Sequence, residues 1–157
     1  MAVTVTNAAQ MADGYRKLPI EDHAKLRFMY GKITQGVAAG DAGSSVVIGK
    51  LPPGRVRVIP YLSRYKVSAL GAARVMDIGH DLYYDRTEDA DAGEAAAAAV
   101  FANDIDVSGA TDALFPVTAG LKFDMFSRDG ITLRATVAGG TIPAAATFEF
   151  NIAYLYE

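Results

Sequence analysis

The sequence has 157 residues, 51% of them apolar and 21% charged, with a net charge of −3. A chain of this length favours one domain and can bury about two-thirds of its unfolded surface, enough for a core without covalent staples. It has no Cys, which excludes disulfides and thiolate–metal sites, and no run approaching the roughly 18 apolar residues of a bilayer span; its negative charge argues against general nucleic-acid binding.

Residues 1–22 are polar and Ala-rich, punctuated by Gly14 and Pro19, and hold no sustained period. They are predicted to be an N-terminal arm, with a short helix around Asn7 to Tyr15, and residues 23–157 to be the folded domain. No basic flank precedes an apolar run at the start, so no secretory signal is expected. From Lys25 onward, Leu26, Phe28 and Tyr30 alternate with Lys25, Arg27 and Met29, the period of a half-buried strand. A turn-rich loop, Gly36 to Ser44, leads to a short apolar strand at Ser45 to Gly49. Leu51-Pro52-Pro53-Gly54 is a tight turn, because Pro presets φ and Gly supplies the left-handed position. Arg55 to Ile59 alternates basic and apolar residues, and the pattern resumes after Pro60 through Val67, which predicts a bend, a bulge or an edge strand at Pro60. Arg74 to Ile78 reads as another strand, closed by Gly79.

Between Asp85 and Glu94 the chain becomes acidic. The Ala-rich stretch Glu94 to Asn103 is predicted to be a helix, packed through Val100 and Phe101. Alternation then returns at Leu121 to Met125, at Ile131 to Val137 and along Phe148, Phe150, Ile152, Tyr154 and Tyr156. The last strand is long and aromatic on one side, so it belongs at the centre of a sheet. About eight strands with turn signals every 8–15 residues predict an all-β, jelly-roll-like sandwich with one short helix.

Chemistry finds little purchase. His23 and His80 stand alone, outside any zinc motif. Asp77, His80 and Asp81 are near enough in sequence to share a site, but a solvated turn is the simpler reading. Asp85, Glu88, Asp89, Asp91 and Glu94 offer hard oxygen ligands, yet Gly93 falls at the wrong place for an EF-hand and no twelfth ligand follows; a calcium site of another kind stays open. The Gly36 to Gly43 stretch lacks the Gly-Lys-Ser/Thr ending of a phosphate loop, and no serine sits in a nucleophile elbow. No enzyme activity and no cofactor are expected.

Charge is unevenly spread. Residues 1–75 hold 11 Lys/Arg and 4 Asp/Glu; residues 76–157 hold 4 and 14. Folding either interleaves the halves or leaves a dipolar subunit, basic on one side and acidic on the other. The candidate partner-binding residues are the basic stripe Arg55, Arg57, Arg64 and Lys66, together with Tyr15, Arg16 and Lys17 in the arm.

Three segments carry a resemblance. They are Val46 to Pro60, with its Leu-Pro-Pro-Gly turn and basic–apolar strand; Ala73 to Asp85; and Ile131 to Phe148 followed by the strand through Tyr154. Together they resemble the decoration, or cement, proteins of tailed-bacteriophage heads with a jelly-roll fold. The resemblance spans roughly residues 45–157 and is one of turn spacing and strand chemistry. It implies a virion structural subunit, made in the host cytoplasm and placed on the capsid surface. There it would be trimeric and bridge major-capsid subunits, with no nucleic-acid or membrane partner. The other reading is a ligand-binding sandwich, such as a carbohydrate-binding or tail-associated receptor-binding module, which would need Tyr61, Tyr83 and Tyr84 clustered and exposed.

Overall fold

The structure is a computed structural model, described over residues 5–7, 25–41, 43–84, 93–116 and 124–156. Alternating and apolar stretches become strands: β1 Val5–Asn7, β2 Lys25–Thr34, β3 Ser45–Leu51, β4 Gly54–Val58, β5 Arg64–Val67, β6 Val75–His80, β7 Tyr83–Tyr84, β8 Gly93–Glu94, β9 Ala97–Asp106, β10 Thr111–Leu114, β11 Asp124–Ser127, β12 Ile131–Ala138 and β13 Thr147–Tyr156.

Two sheets result. Sheet I runs β1-β3-β12-β6-β9, with β1 parallel to β3 and the other pairs antiparallel. In sheet II, β13 pairs along its whole length with β2. Its other edge is shared: Tyr154–Tyr156 face Val58–Val56 of β4, and Phe148–Asn151 face Val67–Arg64 of β5. β4 and β5 therefore form one line, and β11 and β10 extend it as their respective neighbours. The break in that line is the 3₁₀ turn Pro60–Leu62, where the sequence predicts a bend, a bulge or an edge strand. Ser63 closes the gap: its buried hydroxyl donates to the Ile59 carbonyl at 2.8 Å and accepts from the Ala153 N–H at 3.0 Å.

With edge strand β1 and the short β7–β8 pair set aside, counting β4/β5 and β10/β11 as single positions gives eight strands. Their order is first–eighth–third–sixth in sheet II and second–seventh–fourth–fifth in sheet I. That double Greek key is a jelly roll. Between the sheets lie Phe101, Phe148, Phe150, Met76, Ile78, Met125, Leu133 and other side chains with almost no exposure. The final strand sits between β2 and β4/β5, as its aromatic face requires.

The predicted helix at Glu94 to Asn103 is not formed; Ala97–Asp106 is strand β9. Alanine's helix preference amounts to tenths of a kcal/mol per residue, and a ten-residue helix cannot hold itself together in water. Pairing with β6 instead buries Phe101, Ala102 and Ile105. The small residues still have a purpose. Ile78 faces Ala102 while His80 faces Ala97, so five steps of β9 oppose two of β6. The surplus backbone at Ala97–Ala98 lies directly on Gly79, where an added Cβ would come within 1.8 Å of the Ala97 carbonyl oxygen. Further along, Asp104 takes a left-handed φ of 53° and its N–H donates to the Asp77 carboxylate at 2.8 Å, which stabilises a second bulge.

Candidate functional site

Strand β2 turns its apolar residues the unexpected way. Directly paired residues share a face of a sheet. Ile33, Gly31 and Met29 pair with Phe148, Phe150 and Ile152, whose side chains fill the core. Leu26, Phe28 and Tyr30 must then point outward, and they are 44%, 57% and 47% exposed. Hydrophobicity alone favours the opposite assignment. The register is held by the inward set: Met29 packs against Gly49, and the Arg27 guanidinium lies 5.6 Å from the Tyr156 ring centre.

The rest of that outer face follows from the register. Beside Leu26, Phe28 and Tyr30 of β2 runs β13 with half-buried Leu155 and exposed Asn151. Next come Arg55 and Arg57 on β4 and Arg64 and Lys66 on β5, all exposed. The far edge carries Asp124 on β11 and Asp112 on β10. All four basic strand residues expected to form a stripe are thus brought onto one face. They are not bare. Arg55 and Arg57 both reach Asp124 Oδ2 at 3.0 Å, and Arg64 Nε donates to Asp112 Oδ1 at 2.5 Å. Lys32 on β2 pairs with Glu149 at 2.9 Å. Hydrogen bonds from Arg55 and Arg57 hold the Asp124 carboxyl below its usual range, and the Arg64 hydrogen bond does the same for Asp112. Among the described residues this face carries five cations against three carboxylates. Tyr30, Arg64, Lys66, Asp112, Glu149 and Asn151 line a shallow depression of about 200 Å³ on it.

The outer face of sheet I has the opposite sign. Asp77, Asp81, Asp104 and Asp106 stand there with Arg134 and Lys50, among Thr132, Thr136 and Asn103. Arg134 grips both Asp81 oxygens at 2.6 and 2.7 Å and donates to Ser45 Oγ at 2.7 Å. Asp106 accepts from the Ser108 N–H at 2.9 Å, and the Ser108 hydrogen bonds lower its pKa. The uneven charge of the sequence is therefore partly interleaved, through Asp112, Asp124 and Glu149, and partly preserved as two faces of opposite balance.

Several candidates separate. Asp81 is held by Arg134, Asp77 by Asp104, and His80 turns into the core against Tyr83 and Phe101, with ring centres 4.9 and 6.3 Å away. Those three residues do not converge, and no cluster of three metal-ligating side chains exists among the described residues. The aromatic platform is not assembled either. Tyr83 is 3% exposed inside the core, Tyr84 meets the Arg128 guanidinium at 5.4 Å, and Tyr61 stands on the 3₁₀ turn of sheet II. Tyr15, Arg16, Lys17, His23 and the acids Asp85, Glu88, Asp89 and Asp91 lie outside the described residues.

No family model matches the chain, and no curated protein matches it. Solved structures do. A chain of the capsid of Ralstonia phage GP4 is 18% identical and superposes with a TM-score of 0.67, over 98% of this chain and 99% of that one. A chain of the cyanophage Pam1 capsid asymmetric unit is 15% identical with a TM-score of 0.59, over 93% and 96%. At these identities the correspondence establishes the fold.

Proposed function

We propose that this chain is a virion structural protein that decorates the capsid exterior and stabilises it by bridging major-capsid subunits, acting as a homotrimer. The observation that carries the reading is the end-to-end match with chains of two phage capsids, in which nearly the whole of each chain is the shared unit. The physics is compatible. A cement protein gains strength from many copies, each making weak contacts, so a rigid sandwich with contact residues on its surface suffices. The partner is protein; neither nucleic acid nor membrane enters the reading. Arg55, Arg57, Arg64 and Lys66 are the contact residues in the domain, and Tyr15, Arg16 and Lys17 those in the arm.

The test is co-sedimentation with empty shells of the major capsid protein encoded in the same genome. The chain should pellet with shells at a saturating stoichiometry, and deletion of residues 2–20, which removes β1 from the edge of sheet I together with the arm, should weaken binding, with circular dichroism checking that the rest of the sandwich persists. No co-sedimentation at any concentration contradicts the reading. Unchanged affinity after the deletion removes the arm from it, and a monomeric mass by light scattering, free and on the particle, removes the trimer.

A further inference from the structure

We infer that the outer face of sheet II is the capsid-binding surface, with Leu26, Phe28 and Tyr30 as its apolar anchors. The inferred partner surface presents apolar side chains beside carboxylates. The inference rests on the reading just given and assigns it a face.

Three large apolar side chains in a row, each about half exposed, are an unusual thing to leave in water on an outermost strand. Here they adjoin Arg64 and Lys66 across β13, with the depression beside Tyr30 between them. Aromatic anchors with arginine beside them and a polar rim are typical of a protein-binding patch. The charge balance then selects the occupant. Among the described residues the face carries five cations against three carboxylates. Two such faces in a symmetric pair would set like charges together, which disfavours a second copy in that arrangement. A second copy could instead offer its acidic sheet I face. The two outer faces point in opposite directions, however, so that contact would repeat into an open stack and never close. A different protein, carrying carboxylates, satisfies both constraints. The sheet I face, polar and acidic, is left to solvent.

The test compares wild type, Phe28→Ser, Lys66→Glu and, on the opposite face, Thr136→Glu, in equilibrium binding to the same empty shells. Light scattering and circular dichroism are run on each free protein. Phe28→Ser and Lys66→Glu should each weaken binding at least tenfold, with wild-type mass and spectrum, and Thr136→Glu should bind as wild type does. If Phe28→Ser loses its fold, Tyr30→Ser gives the same reading. Wild-type affinity for both sheet II variants overturns the inference and leaves the proposed function standing. A smaller free mass for Phe28→Ser assigns the stripe to contacts between copies, which also overturns it. Absence of shell binding by the wild type refutes the function and the inference together.

Discussion

Replacing Gly79 by Ala tests the packing of β9 on β6. The new Cβ would lie 1.8 Å from the Ala97 carbonyl oxygen and 2.4 Å from the Ala98 carbonyl carbon, where real Cβ contacts essentially never fall under 3.0 Å. Both obstacles are backbone, so no rotamer change relieves them. β9 must retreat by at least 1.2 Å (from 1.8 to 3.0 Å), which disturbs the seats of Phe101 and Ile105. Overpacking of this kind costs roughly 1–3 kcal/mol, and this case belongs near the top of that range. The lower chain entropy of unfolded Ala offsets about 0.4–1 kcal/mol. The expected net loss is about 2 kcal/mol, or a fall in Tm of roughly 4–8 °C for a chain of this size. Urea denaturation followed by circular dichroism reads it, with an unchanged m-value. Gly109→Ala is the control: nothing lies within 4 Å of its Cβ and its φ is not left-handed, so stability should hold or rise slightly. If Gly79→Ala and Gly109→Ala are equally stable, the surplus backbone of β9 does not lie on Gly79 and the bulge is wrong.

Three further outcomes follow from the core and from the outer faces. Phe101→Ala should cost about 3–5 kcal/mol in the same assay, since the ring has no exposure and packs on His80; a loss under 1 kcal/mol would place Phe101 outside the core. Ser63→Ala should cost about 1–3 kcal/mol, because it strands the buried Ala153 N–H that the hydroxyl serves between β4 and β5; a neutral result would show that this bond is not made. Asp124→Asn should cost under about 1 kcal/mol at pH 7, because the carboxylate and its arginines are 39–50% exposed and screened. The Asp124 pKa is lowered in the fold, so its contribution is full above the unfolded value of 3.8 and disappears as pH falls through the depressed value. The stability difference between wild type and Asp124→Asn should therefore be flat from pH 7 to 5 and shrink below 3.8; a difference that grows there would reverse the sign and refute the pairing.

Much of the fold was legible because period-two alternation is a direct imprint of a buried sheet face. Phe148 to Tyr156 could be placed at a sheet centre, and the Pro60 break could be read from one residue. Two features were illegible for physical reasons. Ala-rich β9 carries a local preference that only its partner β6 overrides, and no local signal announces the partner. In β2 both alternating sets contain apolar residues, so the face depends on which set pairs with Phe148, Phe150 and Ile152, a fact of register 115 to 123 residues away in sequence (Ile33 to Phe148, Met29 to Ile152). The basic stripe was legible as a stripe, since Arg55 and Arg57 alternate with apolar residues on β4 and Arg64 and Lys66 do so on β5. Their carboxylate partners Asp124 and Asp112 come from distant strands and were not.

The proposed arrangement puts this jelly roll on the outside of a capsid with sheet II against the shell. Cryo-electron microscopy of empty shells, bare and saturated with the protein, tests it most directly. Added density is expected on the outer surface that fits the sandwich, with Leu26, Phe28 and Tyr30 toward the shell and Asp77, Asp104 and Asp106 toward solvent. Identical maps at saturating protein, or a sandwich seated on its sheet I face, would contradict it.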